Sequence, residues 1–238
     1  MRTQSSGIGV LDKAVLVLST IARTPMGLAD LVEATQLPRA TAHRLAVALE
    51  SHRLLSRDDS GRWTTGSALR ELAHTVPDPL LAAAGPVLVG LRDDTGESAQ
   101  LYIRDGSERV CVLAAEPAQG LRDTVPVGAR LSMSAGSAAQ VLAAWSPPAE
   151  MAGLLTAAAF SARGLAEVRR RGWAQSVAER EAGVASVSAP VRDRSGAVVA
   201  AVSVSGPIQR LGRGPGARLA PLVCAAATSL SRRLGETG

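Results

Sequence analysis

Four serines stand in two alternating pairs, Ser186 with Ser188 in "GVASVSAPV" and Ser203 with Ser205 in "AVVAAVSVSG". In a strand, residues two apart face the same side. Each pair therefore puts two hydroxyls on a sheet face where core side chains would be expected. A third group, "SMSAGSAAQ" (132–140), places small polar residues at the start of a helical pattern. The free N–H groups of a helix start hold anions. Hydroxyls beside such a start suit a small carboxylate ligand. Serines that bond neighbouring backbone and hold nothing give the same pattern.

A second set of residues is basic. In "PRATAHRLAVAL" (38–49), Ala42, Leu45, Ala46 and Leu49 fall on one side of a helix. Ala40, His43, Arg44 and Val47 point the other way. The small Ala40 permits close approach to a grooved partner. Arg44 has a fork that matches guanine or phosphate bidentately. Arg39 and Thr41 fall in the first turn, where helix N–H groups favour phosphate. Arg57 and Arg62 bracket the turn of a hairpin pattern, placed to lie on a sugar-phosphate backbone or in a minor groove. Any one of these arginines is explained by solvating a surface. Their order, the turns between them and their outward direction together favour double-stranded DNA. His43 fits a phosphate contact or a plain surface histidine equally. Trp63 fits the core at the base of the hairpin better than a stacking platform.

Other chemistries are poorly served. All three histidines, His43, His52 and His74, precede residue 75, so the serine-rich half has none to pair with a nucleophile. No nucleophile elbow, phosphate loop or dinucleotide fingerprint occurs. Asp93/Asp94 and Glu179/Glu181 read as exposed charge rather than a catalytic pair, so no catalytic residue is expected. Cys111 and Cys224 are far apart and no Cys/His cluster exists, so neither a metal site nor a cofactor is expected. Cys111 reads as a small core residue. Nothing resembles a signal peptide or a membrane span, which points to the cytoplasm. The formal charge of +5 is spread over both halves and marks neither as basic.

These groups need elements to position them. The 238 residues, 46% hydrophobic and only 2% aromatic, allow one large or two modest domains with an aliphatic core. Residues 9–22 have helical periodicity, with Leu11, Val15, Leu18 and Ala22 on one stripe. A short helix over 28–35, a tight turn and the 38–50 helix follow. Two short strands around "DDSG" come next within 54–66. This is the order of a winged helix-turn-helix, residues 1–66. Residues 67–78 read as a linker helix ending at "PDP". Residues 79–238 read as an α+β domain with an antiparallel sheet. It has helices over 79–93, 134–145, 161–171 and 215–234, with strands near 98–106, 109–116, 121–127, 183–191 and 197–206.

The chain resembles the IclR-type transcriptional regulators of bacteria over nearly its whole length. "GIGVLDKAVLVLSTIA", "LADLVEATQLPRATAHRLAVALESHRLL" and "GRWTTG" carry the N-terminal match. "RRRGWAQSVAEREAGVASVSAPVRDRSGAVVAAVSVSGP" (169–207) carries the more specific C-terminal one. The resemblance implies a GAF/PAS-like effector-binding domain, dimers or tetramers on a roughly palindromic operator, and control by a small organic or amino acid. It implies effector contacts at Ser137, Ala138, Ser176, Ser186, Ser203 and Ser205. The chain departs from the pattern at Ser176, where some relatives carry an acid, and at Ser186, where others carry cysteine. It also has "SAAQ" where "GKA" is common. The wording of "SSGIGVLDKAVLVLS" and "MSAGSAAQVLAAW" is similar to an actinobacterial branch that controls amino-acid, notably leucine, metabolism. A metabolite sensor acting through protein partners is the rival reading.

Overall fold

A computed structural model describes residues 6–75 and 78–236. The chain divides into two compact units, Met1–Pro77 and Asp78–Gly238.

The first unit runs α1 (Gly9–Ile21), α2 (Leu28–Thr35), α3 (Arg39–Ser51), β1 (Leu55–Arg57), β2 (Trp63–Thr65) and α4 (Ser67–Thr75). Gln36 takes a left-handed conformation (φ 56°) and closes α2, so the chain turns tightly into α3. Val17, Ile21, Leu31, Ala42, Ala46, Leu49, Leu55 and Trp63 form the core. The apolar stripe expected on α1 is corrected. Leu11 and Val15 are exposed, while Val17 and Ile21 are buried. The helix is apolar almost all round, so periodicity alone does not choose the side that meets α3. β1 and β2 pair antiparallel, Leu55 opposite Thr65 and Arg57 opposite Trp63.

The second unit runs α5 (Pro79–Thr95), β3 (Ser98–Asp105), β4 (Glu108–Ala115), β5 (Arg130–Ser132), α6 (Ser137–Ala144), α7 (Pro148–Leu155), α8 (Ala162–Arg171), β6 (Ala174–Val177), β7 (Val184–Arg192), β8 (Val198–Pro207), α9 (Ile208–Leu211) and α10 (Gly216–Glu236). The sheet has six antiparallel strands in the order β5-β4-β3-β8-β7-β6. α5 and α10 cover one face through Leu88, Leu101, Val187, Val204, Leu219 and Leu230. α6 and α8 cover the other through Tyr102, Cys111, Met133, Val141, Leu165 and Ala201. The α+β class with an antiparallel sheet holds.

The strand expected over 121–127 does not form. Residues 130–132 pair with β4 instead, and Cys111 exchanges backbone bonds with Ala129 and Gly128 just before them. The neighbouring edge is therefore taken, and Pro126 cannot donate to a ladder. Side chains anchor this loop: Arg210 donates to the Leu121 carbonyl at 2.6 Å and Arg180 pairs with Asp123. Arg210 is itself clamped by buried Glu97 through two 2.7 Å bonds. Gly206 makes room for that clamp, since a Cβ there would sit 2.2 Å from Glu97 Oε2.

Candidate effector site and nucleic-acid interface

Strand register aligns the serines. Ser186 lies opposite Ser205 and Ser188 opposite Ser203. Ser176 on β6 lies opposite Ser186, and Ser98 and Gln100 on β3 lie opposite Ser205 and Ser203. Two polar rows thus cross the sheet on the face that α6 covers. The alternating partners Ala185, Val187, Val202 and Val204 fill the opposite core.

The hydroxyls form one chain. Ser176 Oγ is 2.9 Å from Ser186 Oγ, which is 2.7 Å from Ser137 Oγ. Ser137 Oγ is 2.7 Å from Ser188 Oγ, and Ser188 donates to Ser203 Oγ at 2.9 Å. A hydroxyl has one proton to give. Because Ser188 gives its proton to Ser203, Ser137 must give to Ser188, Ser186 to Ser137, and Ser176 to Ser186. The backbone N–H of Ser137 donates to Ser176 Oγ at 3.2 Å. The chain is therefore one-way and ends on Ser203, whose own proton it does not use. Ser205 is tied separately to Gln100 Nε2 at 2.9 Å.

Five of the six expected effector positions are buried: Ser137, Ala138, Ser176, Ser203 and Ser205; Ser186 is half-buried. All six line one cavity with Tyr102, Arg109, Asp123, Gly136, Arg180 and Val184. Its free volume is about 20 Å³, room for about one water. The start of α6 is partly occupied. Glu179 Oε2 accepts from the Gly136 N–H at 3.0 Å, and Gln140 Nε2 donates to the same carboxylate at 3.2 Å. The reading of Glu179 as exposed surface charge is thereby corrected: it is half-buried and caps a helix.

The sequence reading missed the cavity's charged wall. Arg180 holds Asp123 through two bonds of 2.8 and 2.7 Å. Arg109 is 3% exposed and lies over the Tyr102 ring, 5.5 Å from its centroid. Burial lowers Arg109 to about 10, leaving it charged at neutral pH, and burial raises the Tyr102 hydroxyl, leaving it neutral. A signal for Arg109 existed. It stands two residues from Cys111 on one strand, so it shares the inward face of a residue already read as core. Cys111 is indeed fully buried.

On the first unit, α3 buries Ala42 and Ala46 and leaves Arg39, Ala40, His43, Arg44 and Val47 exposed, with Thr41 half-buried. Arg44 Nε turns back to the Ala40 carbonyl at 3.3 Å. His43 stands edge-on to Trp63, their ring centroids 6.0 Å apart. Trp63 is 2% exposed and donates to Glu50 Oε2 at 2.8 Å. Arg57 stacks on Trp63, bonds Glu50 and donates to the Gly61 carbonyl at 2.8 Å, so it holds the hairpin together. Arg62 pairs with Asp58 at 2.9 Å and remains exposed. Arg53 forks onto Glu71 of α4 through two 2.9 Å bonds, which the sequence did not suggest.

Residues 74–232 match the model for the bacterial transcriptional regulator IclR C-terminal domain, and residues 10–59 match the IclR helix-turn-helix domain. The chain is 27% identical to the HTH-type transcriptional regulator KipR of Bacillus subtilis, covering 94% of this chain and 96% of that one. It is 30% identical to the glycerol operon regulatory protein of Streptomyces griseus, again over 94% and 96%. A crystal structure of a putative transcriptional regulator from Rhodococcus sp. RHA1 superposes with a TM-score of 0.80 at 26% identity, over 97% of this chain and all of that one. An IclR homolog from Microbacterium hydrocarbonoxydans, crystallised with 4-hydroxybenzoate, shares the fold with a TM-score of 0.84 at 24% identity, over 94% and 98%. Among the described residues, no helix is long and apolar enough to cross a membrane. The chain belongs to the IclR family: it is a DNA-binding transcriptional regulator with a C-terminal ligand-binding domain, and not an enzyme.

Proposed function

We propose that residues 1–66 read a roughly palindromic operator as part of a homodimer or tetramer, with α3 in the major groove. Arg44 and Ala40 face base edges, Arg39, Thr41 and His43 face phosphates, and Arg62 lies on the backbone at the wing. Arg57 belongs to the same interface, mainly as the residue that holds the wing in place. Residues 67–78 link this domain to the effector-binding and oligomerisation domain, residues 79–238. A small organic or amino acid binds at Ser137, Ala138, Ser176, Ser186, Ser203 and Ser205 and changes operator affinity. That change requires unequal affinity of the effector for two arrangements of the protein. The regulated genes serve amino-acid or related small-acid metabolism, and the protein works in the cytoplasm with its DNA.

The observation that carries the DNA reading is the exposed edge of α3 beside a rigid, arginine-bearing wing. Two-fold protein symmetry matches a palindromic site. The experiment is genome-wide mapping of bound sites, followed by titration of one mapped site at fixed salt. Arg44→Ala is expected to weaken binding by about 1–3 kcal/mol and to relax the preference at one base pair. Unchanged affinity and preference would remove Arg44 from base readout.

A further inference from the structure

The end of α3 carries a residue that its backbone does not favour. His52 caps the helix. The Leu54 N–H donates to the Leu49 carbonyl at 2.9 Å, and the Arg53 N–H donates to the Glu50 carbonyl at 2.9 Å. In this closure the residue after the cap is left-handed and most often glycine. Arg53 holds that place, at φ 57°. A Cβ makes the left-handed region costly, so glycine would be the easier residue. The cost points to a use for the side chain.

Arg53 holds α4 at two points. Its carbonyl accepts from the Ala68 N–H at 3.0 Å, a first-turn donor with no partner inside its own helix. Its guanidinium forks onto Glu71, Nη1 to Oε1 and Nη2 to Oε2, each at 2.9 Å. Ala68 and Glu71 are three positions apart, so they lie on one side of α4, one above the other. A single attachment lets a helix swing, whereas two along its length fix its axis. The carbonyl anchor is also close-packed, since a Cβ on Gly66 would sit 2.1 Å from the Arg53 oxygen. The ion pair itself is exposed, and such pairs add little to stability. Its planar, two-bond geometry supplies direction instead.

α4 is the last element of the first unit. Where two chains are joined beyond it, the direction of α4 sets the distance and angle between the two copies of α3. We propose that Arg53 and Glu71 are positioning residues for operator spacing. They hold the linker helix at one angle to the recognition helix and so set the half-site separation that the protein accepts. This rests on the reading of the protein as a two-fold reader of a palindromic site. Neither residue needs to touch DNA.

The test measures the affinity of the intact protein, at fixed salt, for a mapped operator duplex and for the same duplex with one central base pair inserted or removed. One base pair turns a half-site by about 34° and shifts it by about 3.4 Å. The parent is expected to bind either altered duplex about tenfold or more weakly. Arg53→Gly, which keeps the turn and removes the fork, and Glu71→Gln should lose about threefold or less on the same change. The reversed pair, Arg53→Glu with Glu71→Arg, should restore the parent's discrimination, with thermal melts showing every variant folded. Parent-like discrimination in both single variants overturns the proposal and leaves the palindromic reading intact. An equal loss on all three duplexes also overturns it, making Arg53 a phosphate contact. Relaxed spacing that the reversed pair does not restore overturns the role of the pairing. A parent that binds all three duplexes equally overturns the two-fold reading, and the proposal with it.

Discussion

The Arg57 guanidinium lies 4.0 Å from the centre of the Trp63 ring, on the strand opposite it. The same guanidinium bonds Glu50, which also accepts from the Trp63 indole N–H. Three residues from α3, β1 and β2 therefore fix the hairpin against α3. Arg57→Ala is expected to destabilise the first unit by about 1–2 kcal/mol, through the lost stacking and ion pair. Chemical denaturation checks it. A stability equal to the parent, with weaker DNA binding only, would return Arg57 to a simple phosphate contact.

Arg62 differs, because its pairing with Asp58 is exposed and exchangeable. Removing it should weaken binding about equally on mapped and unrelated DNA. The slope of log affinity against log salt should fall by about 1. Fluorescence anisotropy over a salt series measures both. A loss confined to the mapped site would mean that Arg62 reads bases.

Arg109→Met should make the effector-binding domain more stable in the absence of ligand. Burial pulls the guanidinium down to about 10, well below its ordinary value, so the charged form is disfavoured in the folded protein by on the order of 3 kcal/mol. Lost contacts with Tyr102 and Ser132 offset part of this. A rise of about 2–6 °C in the thermal midpoint is expected. A fall would show that Arg109 is a structural strut.

Cys111 makes the fold sensitive to alkali. Burial raises its thiol to about 11, above the unfolded value. The folded state prefers the thiol, so its contribution is complete below the unfolded pKa and is lost as pH rises through the folded one. Between pH 7.5 and pH 10 the parent should lose about 1 kcal/mol more stability than Cys111→Ala. The difference between the two proteins cancels the opposite slope of Arg109, whose folded pKa lies below its unfolded one. Urea midpoints at the two pH values decide it, and parallel losses would refute the assignment.

Elements with strong local signals were legible. The inward face of α3, the wing and the alternating serines follow from periodicity and turn chemistry. The α1 stripe was not legible, because an apolar helix offers several equivalent sides. The 121–127 loop was misread because pairing partners are chosen by distant residues, here the 130–132 edge. The charged wall of the cavity was hidden for the same reason. Arg109, Asp123 and Arg180 are far apart in sequence and meet only when the strands align. Glu97 and Arg210, 113 residues apart, are a second instance.

The one-way run of hydroxyls from Ser176 to Ser203 has a consequence for anyone retuning this sensor. Each serine's orientation is set by its neighbour, so the five behave as a single part. Changing one redirects the hydrogens of all those upstream of it. A biosensor engineer who wants a new ligand should leave that part alone and vary the rest of the lining. Tyr102 and Val184 line the cavity outside the run and are the natural dials.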